Sequence, residues 1–151
     1  MDWTTLVPAA VDGNAGTWRN TTQKPSAHWN AAVFDDSTWS SGPGGFGHKE
    51  GARIGTPWTS KDIWLRRTFE YDGRAMDAAF FIMHYDNGTQ IYVNGKPVVA
   101  REGWNDAYEP FDATEALRAA LVKGRNTIAV HTHQDEGGQF IDLALLIGRR
   151  E

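Results

Sequence analysis

The chain has 151 residues and a mass of 16.8 kDa, the size of one domain, and can close a core without disulfides or a structural metal. It contains no cysteine, which excludes thiolate nucleophiles, disulfide frameworks and cysteine-based zinc sites. Fifteen basic against nineteen acidic residues give a net charge of −4 without a basic cluster, which excludes nucleic acid and an anionic membrane surface as partners.

Residues 1–8 (Met-Asp-Trp-Thr-Thr-Leu-Val-Pro) lack the basic and apolar regions of a secretion signal, and no apolar run approaches the roughly eighteen residues of a membrane span. Seven Trp, sixteen Gly and 12% aromatics indicate an all-β chain, because Gly marks turns and Trp suits sandwich cores and sugar-binding surfaces alike. Up to about Thr59, Gly, Ser, Thr, Asn and Pro surround Trp3, Trp18, Trp29, Trp39 and Trp58, which predicts short strands joined by long ordered loops. Residues 34–47 contain turn formers around Phe34, Trp39 and Phe46, suited to wrapping a sheet edge with the aromatics as pins.

Beyond Ser60, β-branched and aromatic residues predict strands over 63–71, 78–85 and 90–93. Asp86-Asn87-Gly88 and Asn94-Gly95-Lys96 both read as hairpin turns, so three consecutive antiparallel strands are expected. Residues 113–122 predict one short helix, with Leu117 and Leu121 on one face, Asp112 or Thr114 as N-cap and Gly124 as stop. Two long strands, 126–133 and 139–148, follow on either side of Asp135-Glu136-Gly137-Gly138. Strands at this spacing with one small helix predict an antiparallel β-sandwich of the jelly-roll kind, a single domain over residues 1–151 with no internal repeat or linker.

The polar residues near the carboxyl end form the first candidate site. With Ile128 and Val130 inward, alternation turns His131 and His133 outward, and with Leu143 and Leu145 inward it turns Asp142 outward. Two His and a carboxylate on one surface suit sugar hydroxyls, with Trp104, Trp58 or Tyr108 as the platform for a pyranose face. The same set suits zinc or copper, and a third reading has the His pair only stabilising strand ends. Asp135 and Gln139 join this constellation; Asp135 and Glu136 do not form a glycosidase pair, because neighbours on a turn cannot flank a scissile bond at roughly 5 to 9 Å. The loop 48–53 offers His48 and Arg53 beside Trp58, whereas His84 lies in a strand apolar on both faces and is expected to be buried. The loop 101–106 offers Trp104 and Asn105; a Trp flanked by Gly, Asn and Asp has no periodic pattern to bury it. Phosphate-cradling, nucleophile-elbow and HExxH motifs do not occur.

Five segments carry a family resemblance. They are Phe34-Asp35-Asp36-Ser37-Thr38-Trp39 with Gly45-Phe46-Gly47, Asp62 to Phe69, Asp86 to Lys96, Tyr108 to Thr114, and Gly124 to Val130. In this order they resemble the galactose-binding-domain-like jelly-roll modules that flank the catalytic barrel of family 2 glycoside hydrolases, and related carbohydrate-binding modules. The resemblance implies a non-catalytic module accessory to a glycoside hydrolase, with a poly- or oligosaccharide and the catalytic domain as partners and a secreted or periplasmic parent protein. It also implies a structural Ca²⁺ for which Asp35, Asp86 and Asp142 are candidate ligands, since related modules often carry one. Two alternatives stand beside it. One is a jelly-roll enzyme, a lyase or a metal-dependent sugar enzyme, using His131, His133, Tyr85 or Tyr108 and Gln139 on one face. The other is a purely structural domain of a larger glycosidase.

Overall fold

The computed structural model describes residues 1–14 and 16–151, and among them twelve strands and one α-helix. In chain order the strands are β1 (Asp2–Val7), β2 (Thr17–Thr21), β3 (Ser40–Pro43), β4 (Phe46–His48), β5 (Thr56–Pro57) and β6 (Asp62–Tyr71). They continue as β7 (Ala78–Asp86), β8 (Thr89–Val93), β9 (Lys96–Arg101) and β10 (Glu109–Asp112). Helix α1 (Thr114–Ala120), β11 (Gly124–His133) and β12 (Gln139–Arg149) complete the order.

Two sheets face each other. The first runs β10-β7-β12-β4-β5 with β1 also on β12, and the second runs β3-β2-β6-β11-β8-β9. All pairings are antiparallel except β4 with β5, which makes this the all-β sandwich that the strand spacing predicts. Alternation places Phe81, Met83, Ile141, Leu143 and Leu145 of the first sheet against Ile63, Leu65, Ile91, Val93, Ile128 and Val130 of the second, all essentially sealed from solvent. Each such side chain contributes about 1.5–3 kcal/mol of burial free energy. Leu117 of α1 plugs one end of this core, and the helix begins one residue later than predicted, at Thr114, whose N–H and hydroxyl both donate to the Asp112 carboxylate.

The two Asn/Gly turns differ in what they connect. Asn94 and Gly95, at φ 52° and 82°, form the β8–β9 hairpin as expected. Asp86-Asn87-Gly88 instead carries the chain from one sheet to the other, because β7 pairs with β12 and β10 while β8 pairs with β11 and β9. The expected run of three consecutive hairpin-linked strands is therefore broken at this turn. One local and two long-range bonds hold it: the Asn87 carbonyl accepts from the Thr89 hydroxyl, the Asn87 side chain accepts from the Asp135 N–H, and Gly88 accepts from the His133 N–H.

The segment between β2 and β3 lies across the outer face of the second sheet rather than around its edge. Arg66, 3% exposed, fixes it by donating to the Asp36 carboxylate and to the carbonyls of Trp29 and Ala31. Phe34 meets the Arg66 guanidinium and the Trp39 ring, and Trp29 meets Tyr92 and His131, so the aromatics do pin this loop. At the other side, Gly45 takes φ 89°, and a Cβ there would stand 2.5 Å from the Arg53 carbonyl, so only glycine lets loop 51–55 approach β4.

Candidate functional site

The outer face of the first sheet carries polar side chains where apolar ones would meet water. On β7 and β12 the core-facing residues alternate with His84, Asp86, Phe140 and Asp142, and His84 is the register partner of Asp142. Lys49, just past β4, reaches over this face. Its ammonium donates to Asp86 at 3.0 Å and to the Asn105 carbonyl at 3.4 Å, and stands 3.5 Å from His84 Nε2 and 5.6 Å from the Trp104 ring centroid. With Asp86 buried and Lys49 largely so, this pair is one of partial desolvation, and a lost partner leaves a charge in a poor solvent. His84 is 7% exposed, and burial, reinforced by the Lys49 charge, holds its imidazole below the ordinary 6.5.

Trp104 stands over this cluster with 60% of its surface in solvent. Its neighbour explains why it can. Asn105 is buried, accepts the Tyr85 N–H with its side-chain oxygen and donates to the Met83 carbonyl, while its own N–H donates to Tyr85, so the loop is stitched to the β7 edge. The exposed indole is therefore held from below by backbone. Beside it opens a cleft of about 500 Å³ lined by Lys49, Asp86, Asn87, Trp104, Glu136, Gly137 and Gly138. Gly138 keeps its floor low, since a Cβ there would stand 3.2 Å from the Lys49 stem.

Next to this cluster, Asp142 accepts both the Ala10 N–H, at 3.0–3.1 Å, and the Tyr108 hydroxyl at 2.5 Å, tying the 3-10 turn Ala10–Asp12 onto the sheet. Burial pushes the Asp142 carboxyl up despite these donors, and burial together with the Asp142 carboxylate pushes the Tyr108 phenol far up. Tyr108 is a hydroxyl donor at any physiological pH.

His131 and His133 do face outward, but from the second sheet. They converge on a residue that the sequence reading passed over: Asp62 Oδ1 lies 2.8 Å from His131 Nε2 and 2.8 Å from His133 Nδ1. Burial raises the Asp62 carboxyl, and the hydrogen bonds and charges of His133 and His131 outweigh it, leaving it below the ordinary 3.8. His131 stacks on Trp64 at 4.7 Å, and His133 lies 3.4 Å from Asp135.

These placements correct several expectations. Asp142 does not share a surface with the two histidines, because β12 and β11 lie in opposite sheets and outward on each means opposite sides of the sandwich. Trp58 is 2% exposed and belongs to the core, so it is no platform for a ligand. Gln139 is buried and donates to the Ser60 carbonyl, and Asn105 is likewise engaged by backbone. Arg53 is exposed and Asp135 is at the rim of the Trp104 cleft, next to Glu136. Of the three carboxylates expected around Ca²⁺, Asp35 caps the Ser37 N–H, Asp86 pairs with Lys49 and Asp142 holds Ala10; among the described residues no group of three His, Asp or Glu is placed to hold a metal. The tyrosine–histidine set of the enzyme alternative is divided as well, with Tyr85 in the core and Tyr108 on the sheet opposite His131. Lys49, Asn87 and Glu136 are cleft residues that sequence reasoning did not single out as binding groups; their signal was their place in Gly-flanked loops.

The sequence matches no protein-family model and no curated protein. Solved structures do match its fold. A β-glucuronidase from Bacteroides uniformis superposes with a TM-score of 0.66 at 18% identity, covering 97% of this chain and 18% of that one. The fold is one carried by family 2 glycoside hydrolases. A glycosyl hydrolase family 2 member from Bacteroides cellulosilyticus matches with a TM-score of 0.65 at 16% identity, over 99% of this chain and 21% of its own. A β-glucuronidase from Lactobacillus rhamnosus matches at 0.61 and 18%, over 98% and 29%. The chain thus spans about a fifth to under a third of the structures it resembles, and the jelly-roll resemblance read from its motifs holds at the level of fold.

Proposed function

We propose that the domain is a non-catalytic carbohydrate-binding module that works beside a glycoside hydrolase catalytic domain, as part of a larger secreted or periplasmic protein, and holds glycan at the Trp104 cleft. The observation that carries this is the 60% exposed indole of Trp104, rigidly mounted on β7 through Asn105, next to a concave polar floor. An indole in this setting offers a flat apolar surface to the C–H face of a pyranose, and Asn87, Glu136 and the Lys49–Asp86 pair offer donors and acceptors to its hydroxyls. The fold shared with a segment of family 2 enzymes supports the enzymatic context.

Affinity electrophoresis through gels containing a panel of polysaccharides tests it. Retardation by a glycan, lost in Trp104→Ala and kept in His133→Ala, is the expected result. Retardation by none of the panel, or retardation equal in wild type and Trp104→Ala, overturns binding at this cleft.

A further inference from the structure

The charge in the cleft narrows the class of sugar. Three ionised side chains line it: Lys49, Asp86 and Glu136. Lys49 and Asp86 neutralise each other at 3.0 Å. Glu136 makes no ion pair among the described residues, so the uncompensated charge of the lining is one carboxylate. The rim has the same sign. Asp135 adjoins Glu136, is anchored to Asn87 through its N–H and has His133 at 3.4 Å, Glu102 stands two residues before Trp104 with its carboxylate 3.5 Å from where a Gly88 Cβ would lie, and Asp106 follows Asn105 and acts electrostatically on His84. The cation that could have offset them, Lys49, is turned inward to Asp86, the Asn105 carbonyl and His84.

We propose that the Trp104 cleft selects pyranosides that carry no carboxylate, neutral and amino sugars, and turns uronosides away, with Glu136 setting the sign. This rests on the sugar-binding reading above and adds a specificity to it. The physical basis is Coulombic. A uronate carboxylate stacked on Trp104 would share the cleft with the Glu136 carboxylate, and two like charges held within one cleft cost about three- to thirty-fold in affinity, depending on how far the cleft excludes water. An ammonium at the same place is attracted.

The test uses the 151-residue chain and three probes that share the gluco configuration: methyl β-glucoside, methyl β-glucosaminide and methyl β-glucuronide. Binding is followed by two-dimensional NMR through the indole N–H of Trp104, in wild type and in Glu136→Gln, at low and at 0.5 M salt. The expected order is glucosaminide at or above glucoside, and glucuronide at least three-fold weaker. In Glu136→Gln, and in wild type at high salt, the gap closes. Glucuronide binding as tight as glucoside in wild type, or a gap that Glu136→Gln leaves intact, overturns the selectivity while leaving the sugar site standing. Absence of any shift at the Trp104 indole with all three probes, together with no retardation in the gels, overturns the binding reading itself.

Discussion

Lys49 is the residue on which the candidate site turns. Its ammonium satisfies Asp86, the Asn105 carbonyl and the face of Trp104 at once, so it joins the β4 end, the β7 end and the Trp104 loop. Replacing it by Met keeps the aliphatic stem but leaves the buried Asp86 carboxylate without its cation. Lys49→Met should lower unfolding free energy by about 2–4 kcal/mol, and a Lys49→Met, Asp86→Leu double variant should recover part of that, because removing both partners costs less than orphaning one. Urea denaturation of the two variants measures this; equal stability of wild type and Lys49→Met would mean that the pair is solvated and the cluster is not what mounts Trp104.

At the scale of elements, the loop between β2 and β3 has almost no regular structure, and Arg66 joins the aromatic contacts in ordering it. A guanidinium presents several donors in a fixed fork, and Arg66 uses them on one carboxylate and two carbonyls that are all part of this loop. Arg66→Ala should destabilise the domain by about 2–4 kcal/mol and expose residues 22–39 to limited proteolysis, whereas Arg66→Lys should restore little, since an ammonium cannot meet three acceptors in that plane. An Arg66→Ala variant as resistant to protease as wild type would show that the aromatic contacts suffice. The sequence alone showed the turn-rich segment and its aromatics. What it lacked was that the loop covers a sheet face, because local composition does not say which surface lies beneath a loop.

Across the whole molecule, each outer face carries a titrating group with a folded-state pKa below its ordinary value. For His84 the unfolded chain binds the proton more readily, so its contribution to stability is full above pH 6.5 and is lost as pH falls below that. For Asp62 the same sign holds lower down, with stability lost as pH falls through and below 3.8. Asp142 has the opposite sign, its raised carboxyl favouring the folded state as pH falls toward 3.8. The melting temperature should therefore fall between pH 7 and 5, and His84→Gln should flatten that part of the profile while leaving the fall below pH 4. A profile unchanged by His84→Gln would place the first loss elsewhere.

The sequence by itself determined the periodicities: that 63–71, 78–85, 90–93, 126–133 and 139–148 are strands, that Ile128 and Val130 point inward while His131 points outward, that Trp104 has no pattern to bury it, and that Asn94-Gly95 turns a hairpin. These are local matters, fixed by side-chain alternation and by backbone angles that few residues accept. Only the tertiary structure decided which sheet each strand joins, and the separation of Asp142 from the two histidines follows from that. His131 and Asp142 both face outward, as alternation requires, yet on opposite sides of the sandwich; Asp86-Asn87-Gly88 has the same local signal as Asn94-Gly95, yet it crosses between sheets. The meeting of Lys49 with Asp86, 37 residues away, and with Trp104 was beyond any local reading, because nothing in a side chain's own neighbourhood along the chain records which distant strand end will meet it.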